Sequence, residues 1–106
     1  MFDKNDFHEK VLIIVSKIPY GKVTTYGHIA EVAGSRSSSR MVGYILSTLK
    51  NNNLYPCHRV VNRVGVLTGK FNFIENSMEE MLKLEGIDVK DEKIIDFDKH
   101  LWIPEL

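Results

Sequence analysis

The single cysteine of the chain lies in the segment Pro56-Cys57-His58-Arg59, beside an imidazole and a guanidinium. A thiol reacts as its thiolate, and neighbouring cationic or basic side chains favour that form. Cys57 is therefore a candidate nucleophile, and His58 is the candidate base. The segment alone leaves a second interpretation open, because unpaired cysteines are also among the most buried residues of proteins and often serve as small hydrophobic side chains.

Length and composition predict one domain over residues 1–106 with one hydrophobic core, since 43% of the 106 residues are hydrophobic. One cysteine excludes an intrachain disulfide, and the four histidines lack the spacing of a zinc site, so we expect no metal. The amino terminus has no basic region, and the longest apolar run, 11–15, is too short to span a bilayer. We therefore expect a cytoplasmic protein with no membrane partner.

Charge is divided along the chain although the formal net charge is zero. Residues 1–70 contain ten Lys or Arg against four Asp or Glu, and residues 71–106 contain four against ten. No acidic residue lies between Val32 and Ile74, where the cations are Arg36, Arg40, Lys50, Arg59, Arg63 and Lys70. Such a stretch suits a polyanion such as DNA at a localised surface, although solvated faces also lack one sign of charge by chance.

The first half of the sequence predicts three helices. Asn5 or Asp6 is the expected cap of a first helix with a broad apolar face. Residues 28–33 predict a compact helix that ends at Gly34 in a left-handed conformation, and residues 40–50 predict the next helix. Because a turn of small residues separates the last two helices, the pattern is typical of a helix-turn-helix.

The second half predicts shorter elements. Residues 60–61 and 65–69 indicate a short strand or loop pair after the cysteine. Ser77 followed by Glu80 is a capping box, which predicts a helix over 78–85 with Gly86 as its terminator. The acidic remainder of the chain has scattered apolar residues, so we expect it to wrap the core.

Four separated segments resemble, in order and spacing, the DNA-binding domain of the alkylguanine-DNA alkyltransferases. They are Ile18–Ala30, Gly34, Arg40–Gly43 and Pro56–Val61. The similarity extends over roughly residues 7–86. It implies a mainly α, winged-helix-like helix-turn-helix DNA-binding domain with a small β element. It also implies a monomer without metal or cofactor that binds double-stranded DNA containing alkylated guanine and moves the alkyl group irreversibly to a cysteine.

The resemblance assigns a role to each matched residue. Cys57 is the implied nucleophile, His58 its base through a bridging water, and Glu85 the carboxylate that orients the imidazole. Tyr26 is expected to push the phosphate of the flipped nucleotide, and Arg40 to fill the gap left in the base stack. The other expected DNA-binding residues are Ser35, Ser37, Gly43 and Arg59. Taken singly, a core aromatic, a surface charge and a solvated helix end would explain Tyr26, Arg40 and Glu85 equally well.

Two positions depart from the pattern of the repair enzymes. Leu49 stands where they usually carry Asn, unless a shortened loop brings Asn51 there, and Lys70-Phe71 replaces a Tyr-Ser pair that contacts the guanine. A sister group, the alkyltransferase-like proteins, lacks the cysteine, binds the lesion and passes it to nucleotide excision repair. Two functions therefore stay open. The first is alkyl transfer, which the retained thiol favours. The second is lesion binding, with nucleotide excision repair proteins as partners. A helix-turn-helix regulator would leave residues 56–61 unexplained.

Overall fold

The computed structural model describes residues 3–49, 54–68 and 77–106. Within these ranges it contains five α-helices and four two-residue strands, together with 3-10 turns at Arg36–Ser38 and Cys57–Arg59. The helices are α1 (Lys4–Ser16), α2 (Tyr26–Ala33), α3 (Ser39–Ser47), α4 (Met78–Leu84) and α5 (Phe97–His100). The strands are β1 (Thr24–Thr25), β2 (Val60–Val61), β3 (Val89–Lys90) and β4 (Lys93–Ile94). The expected mainly α fold with a small β element is confirmed.

Helix α1 begins earlier than the sequence suggested. The carboxylate of Asp3 accepts hydrogen bonds from the backbone N–H groups of Asn5 and Asp6, at 2.9 and 3.3 Å. The prediction that Asn5 or Asp6 caps the helix is therefore wrong, because Asp3 satisfies the free N–H groups and leaves Asp6 inside the first turn, where a negative charge is also favourable. The buried face of the helix is as expected and consists of Phe7, Val11, Ile14 and Val15.

The helix-turn-helix consists of α2, the first 3-10 turn and α3. The hydroxyl of Thr25 accepts from the backbone N–H of His28 at 3.0 Å, so this cap starts α2 at Tyr26 rather than at His28. Gly34 ends the helix with a φ of 113°, as predicted. Helix α3 ends at Ser47, before the predicted residue 50, since the hydroxyl groups of Ser47 and Thr48 bond to the carbonyl oxygens three residues earlier.

Of the expected short strand or loop pair at 60–61 and 65–69, residues 60–61 form strand β2, and the described residues 65–68 form a loop whose Val66 carbonyl accepts from the Asn62 N–H at 3.1 Å. Strand β2 runs parallel to β1, with Thr24 opposite Val60 and Thr25 opposite Val61. All four residues are buried. A strand pair that is buried in this way needs other elements packed against both of its faces, and a local hairpin does not provide them. Because the two strands are parallel, the pairing places the Cys57–Arg59 turn beside the segment that enters β1.

The acidic tail forms the antiparallel pair β3–β4 and then α5. Its turn residues Asp91 and Glu92 both have positive φ, 52° and 64°, a conformation that favours Gly or Asn. The sequence therefore gave no hairpin signal at this position. After α5 the backbone N–H of Trp102 donates to the carbonyl of Val23 at 2.7 Å, so the tail wraps the core as expected.

Two clusters of buried side chains form the core, and β2 joins them. The first lies among α1, α2 and α3 and contains Phe7, Val11, Ile14, Val15, Ile18, Ile29, Ala30, Ala33, Val42, Ile45, Leu46 and Val60. The second lies around α4 and the tail and contains Val23, Val61, Leu67, Met78, Leu82, Ile87, Val89 and Ile94. Within the described ranges, no helix has the length and apolar character needed to cross a membrane.

Candidate functional site

The candidate nucleophile and base lie in one 3-10 turn, Cys57–Arg59, at the entrance to β2. The backbone N–H of Cys57 donates to the carbonyl of Tyr55 at 2.8 Å, and that of Arg59 donates to Pro56 at 3.0 Å. Because β2 is fixed against β1, this tight turn has little freedom. It buries the side chain of His58 and leaves Cys57 half-buried.

His58 contacts Glu85, as the resemblance implied. The imidazole Nε2 lies 2.5 Å from the carboxylate Oε2 of Glu85. An ionised carboxylate only accepts hydrogen bonds, so Nε2 carries the proton and Nδ1 of the neutral ring is left as an acceptor. Burial lowers the pKa of His58, and the opposing hydrogen bond and charge of Glu85 do not reverse that direction. The imidazole is therefore held in its uncharged, basic form.

Glu85 is the centre of a larger polar group. Besides His58, its carboxylate accepts from the Arg59 Nε at 2.9 and 3.0 Å and from the backbone N–H of Gly21 at 2.7 Å. Burial would raise the pKa of Glu85, but the hydrogen bonds from Arg59, Gly21 and His58 outweigh burial and lower it. Glu85 is therefore an ionised, nearly enclosed carboxylate rather than a solvated helix end.

Arg59 is directed into the protein, where its Nη2 lies 2.9 Å from Glu85 Oε2 and its Nη1 donates to the carbonyl of Ile18 at 2.8 Å. The guanidinium also lies over the ring of Tyr20, 5.7 Å from its centroid. The side chain is only 15% exposed. These contacts give no support to the predicted role of Arg59 in DNA binding, because each of its three nitrogens contacts a group inside the fold. The sequence carried no signal for this, since the partners lie far away along the chain.

The thiol of Cys57 differs from the sequence-based expectation. Burial raises its pKa to about 11, and a backbone hydrogen bond lowers it only in part. The guanidinium of Arg59, two residues after Cys57, faces Glu85 instead of the thiol. The expectation that neighbouring cationic groups favour the thiolate is therefore wrong for this structure, in which Cys57 is protonated at neutral pH.

The expected DNA-binding residues lie along the helix-turn-helix. Arg40 is the second residue of α3 and is exposed. Ser37 is exposed in the turn before it, and Ser35 is half-buried with its hydroxyl 2.7 Å from that of Ser38. Exposed small residues beside an exposed cation are compatible with close approach of a phosphate backbone.

Tyr26 links this surface to the thiol. A Cβ atom at Gly43 of α3 would lie 3.9 Å from the Tyr26 Cε1, so the Tyr26 ring packs against α3. Burial raises the pKa of Tyr26, a hydrogen bond with Thr68 lowers it, and a negative charge on Cys57 raises it. The phenol therefore forms a hydrogen bond with Thr68 and is electrostatically coupled to Cys57. Thr68 was not predicted as a site residue, because its hydrogen bond with Tyr26 forms only in the folded chain.

Of the positions that depart from the repair enzymes, Leu49 lies among the described residues. Leu49 packs against the first core cluster, as a hydrophobic residue would. Asn51 and Lys70-Phe71 lie outside the described residues. In the part of the chain that the structure describes, no cluster of three or more His, Cys, Asp or Glu could hold a metal ion.

Residues 6–87 match the family described as 6-O-methylguanine DNA methyltransferase, DNA binding domain. The chain is 36% identical over 102 residues to a DNA base-flipping protein of Escherichia coli, covering 96% of this chain and 78% of the relative. It is 31% identical over 105 residues to Alkyltransferase-like protein 1 of Schizosaccharomyces pombe, covering 94% and 97%. A methylated-DNA–protein-cysteine methyltransferase of Methanosarcina acetivorans is 40% identical over 86 residues, covering 76% of this chain and 51% of the enzyme.

The fold is also similar to a solved complex. The crystal structure of S. pombe Atl1 with damaged DNA containing O6-carboxymethylguanine matches with a TM-score of 0.82 and 30% identity, covering 95% of this chain and 98% of that one. Sequence and structure agree over nearly the full length of both chains. This protein therefore belongs to the 6-O-methylguanine DNA methyltransferase family, through the DNA-binding domain of that family.

Proposed function

We propose that this protein flips guanine alkylated on its exocyclic oxygen out of duplex DNA and transfers the alkyl group irreversibly to Cys57. The position of Tyr26 carries the proposal. Its ring packs against Gly43 of α3, its hydroxyl forms a hydrogen bond with Thr68, and both Tyr26 and Cys57 pack against the first core cluster. A base that leaves the duplex beside α3 would thus pass Tyr26 on its way to the thiol.

The helix-turn-helix supplies the DNA-binding part of this proposal. The exposed Arg40 at the start of α3 suits the space that an extruded nucleotide leaves in the stack. Arg36, with a side chain 85% exposed, lies in the preceding turn, where its ion pair with Glu31 is long at 3.8 Å and leaves the guanidinium within reach of a phosphate. The base-flipping name of the E. coli relative and the damaged-DNA complex of Atl1 support this reading.

The Cys57-His58-Glu85 group supplies the chemistry. His58 Nδ1 takes the thiol proton through a water, while Glu85 stabilises the imidazolium that forms. The Cys57 Sγ then attacks the alkyl carbon, an S–C bond forms, and the C–O bond to guanine breaks. The thiol proton finally passes to the guanine, so the reaction consumes one protein molecule and needs no further reactant.

A second function, lesion binding without transfer, is favoured by a different observation. The pKa of about 11 for Cys57 means that the resting thiol is a poor nucleophile. Two relatives that this chain matches over most of their length are named for base flipping and for likeness to alkyltransferases. In that case the protein would mark damage for nucleotide excision repair proteins.

Intact mass spectrometry distinguishes the two functions. The protein is incubated with a duplex that carries one O6-methylguanine, and binding to the same duplex is measured in parallel. Transfer predicts a mass gain of one methyl group per protein molecule, absent in Cys57→Ser. An unchanged mass with retained lesion preference supports the second function, and the absence of both transfer and lesion preference contradicts the assignment.

A further inference from the structure

We propose that Arg59 is a positioning residue that keeps His58 an uncharged base by holding Glu85 in place and balancing its charge. The meaning of this role for catalysis rests on the proposed function, whereas the role itself can be measured without DNA. The DNA-binding role that the resemblance implied for Arg59 stays a separate prediction.

Arg59 is held in place by contacts on several sides of its guanidinium. Its Nε and Nη2 atoms approach the Glu85 carboxylate at 2.9 to 3.0 Å, and its third nitrogen bonds to the carbonyl of Ile18 at 2.8 Å. The ring of Tyr20 lies against the guanidinium. The Tyr20 hydroxyl in turn donates to the carbonyl of Leu84 at 2.8 Å, one residue before Glu85. Arginine suits such a site, because its planar group donates to both carboxylate oxygens at once.

The charges around His58 explain why the contact between Arg59 and Glu85 affects the pKa of the imidazole. Among the described residues, Glu85 faces the imidazole from the end of α4, and Arg59 and Cys57 belong to its own turn. A lone carboxylate 2.5 Å from the ring would favour the imidazolium. Arg59 offsets that carboxylate with an opposite charge in contact with the same oxygen, so burial decides in favour of the neutral ring.

A neutral ring is the form that the reaction requires. A general base must be unprotonated before it accepts the proton of Cys57, and a base that is already charged at neutral pH would leave the thiol intact. After transfer, the imidazolium must also release the proton to the guanine. Arg59 assists that release, because it weakens the hold of Glu85 on the added positive charge.

Nuclear magnetic resonance titration of the His58 imidazole tests the charge balance in the full chain. His58→Gln identifies its signal among those of the four histidines. Arg59→Gln should raise the pKa of His58, while Arg59→Lys, which keeps the charge, should leave it close to that of the parent. Glu85→Gln should lower it, because Arg59 then acts alone.

The double variant Arg59→Gln/Glu85→Gln keeps the test valid even if a single variant with one unpaired buried charge fails to fold. If the two charges offset each other, His58 in the double variant should titrate close to the parent value. A merely structural Arg59 would change the thermal midpoint but not the imidazole titration. A His58 pKa in the double variant that lies clearly below the parent value would overturn the proposal, because Arg59 would then not offset Glu85.

The pH profile of transfer provides the second readout. Arg59→Gln should slow transfer at neutral pH by about tenfold for each pH unit by which His58 titrates above it. The rate should recover at higher pH, and Arg59→Lys should show little of this loss. If no variant or parent transfers alkyl groups, the proposed function fails while the titration still decides the role of Arg59.

Discussion

His58 and Glu85 are 27 residues apart in the sequence, yet the imidazole Nε2 and the carboxylate Oε2 lie 2.5 Å apart. The contact joins the Cys57–Arg59 turn to the end of α4. It fixes which imidazole nitrogen carries the proton, so the other nitrogen becomes the base that the proposed reaction needs.

Stability should fall on acidification in two phases because of this pair. His58 has a folded-state pKa below its ordinary 6.5, so from about pH 6.5 downward the unfolded chain binds a proton that the folded protein refuses. Glu85 has a folded-state pKa below its ordinary 4.5, so its contribution is present above pH 4.5 and is lost as the pH falls through the folded value. Thermal midpoints across a pH series measure both phases, and His58→Gln should remove the first. A decline that is identical in this variant would contradict the assignment.

Reagents that alkylate thiols should react slowly with Cys57 at neutral pH. Burial raises its pKa to about 11, and only the thiolate attacks such reagents. The rate of iodoacetamide modification, followed by mass, should therefore keep rising with pH until close to that value. Because Cys57 is the only cysteine, Cys57→Ser reports any reaction elsewhere. Modification as fast as that of an unperturbed cysteine at neutral pH would show that the thiol is activated.

Arg40→Ala should lose the preference for lesion-containing DNA while the fold remains intact. Flipping a base costs a few kcal/mol of stacking, which an inserted side chain offsets. Arg40 is exposed, so its removal should change the free energy of unfolding by less than about 0.5 kcal/mol. Fluorescence anisotropy with matched damaged and undamaged duplexes measures the preference. If the variant still prefers the lesion to the same degree, Arg40 is not the inserted residue.

Arg36→Ala is the matched control, because Arg36 is exposed in the same helix-turn-helix and its ion pair with Glu31 is long, at 3.8 Å. A phosphate contact predicts equal weakening for damaged and undamaged duplexes and a salt slope that is smaller by about one. Lesion preference should stay at the parent value. A selective loss of lesion binding in this variant would place the inserted side chain in the turn instead of in α3.

Gly65→Ala should be clearly more destabilising than Gly86→Ala. Both glycines have positive φ, 87° and 82°, which costs other residues about 1–2 kcal/mol. A Cβ at Gly65 would also lie 3.1 Å from the Phe97 Cγ in the tail, whereas a Cβ at Gly86 would have no atom of the described residues within 4 Å apart from its chain neighbours. Crowding of this kind adds about 1–3 kcal/mol. Urea denaturation measures both variants, and equal losses would mean that the tail does not press on this loop.

The sequence by itself determined the features that depend on neighbours a few residues away. The Gly34 terminator, the Ser77 cap and the apolar face of α1 were correctly predicted, because caps and helical periodicity involve residues within about one turn. The order of motifs around Cys57 also identified the family, since several spaced segments rarely agree by chance.

Only the tertiary structure decided the electrostatics of the site. Arg59 looked like a DNA contact in the sequence, and its pairing with Glu85 depends on packing between the Cys57 turn and the end of α4. The raised pKa of Cys57 likewise follows from burial, which the local sequence Pro56-Cys57-His58-Arg59 does not encode. Ion pairs and desolvation depend on which groups the whole fold brings together and encloses, so residues of the right type near in sequence do not reveal them.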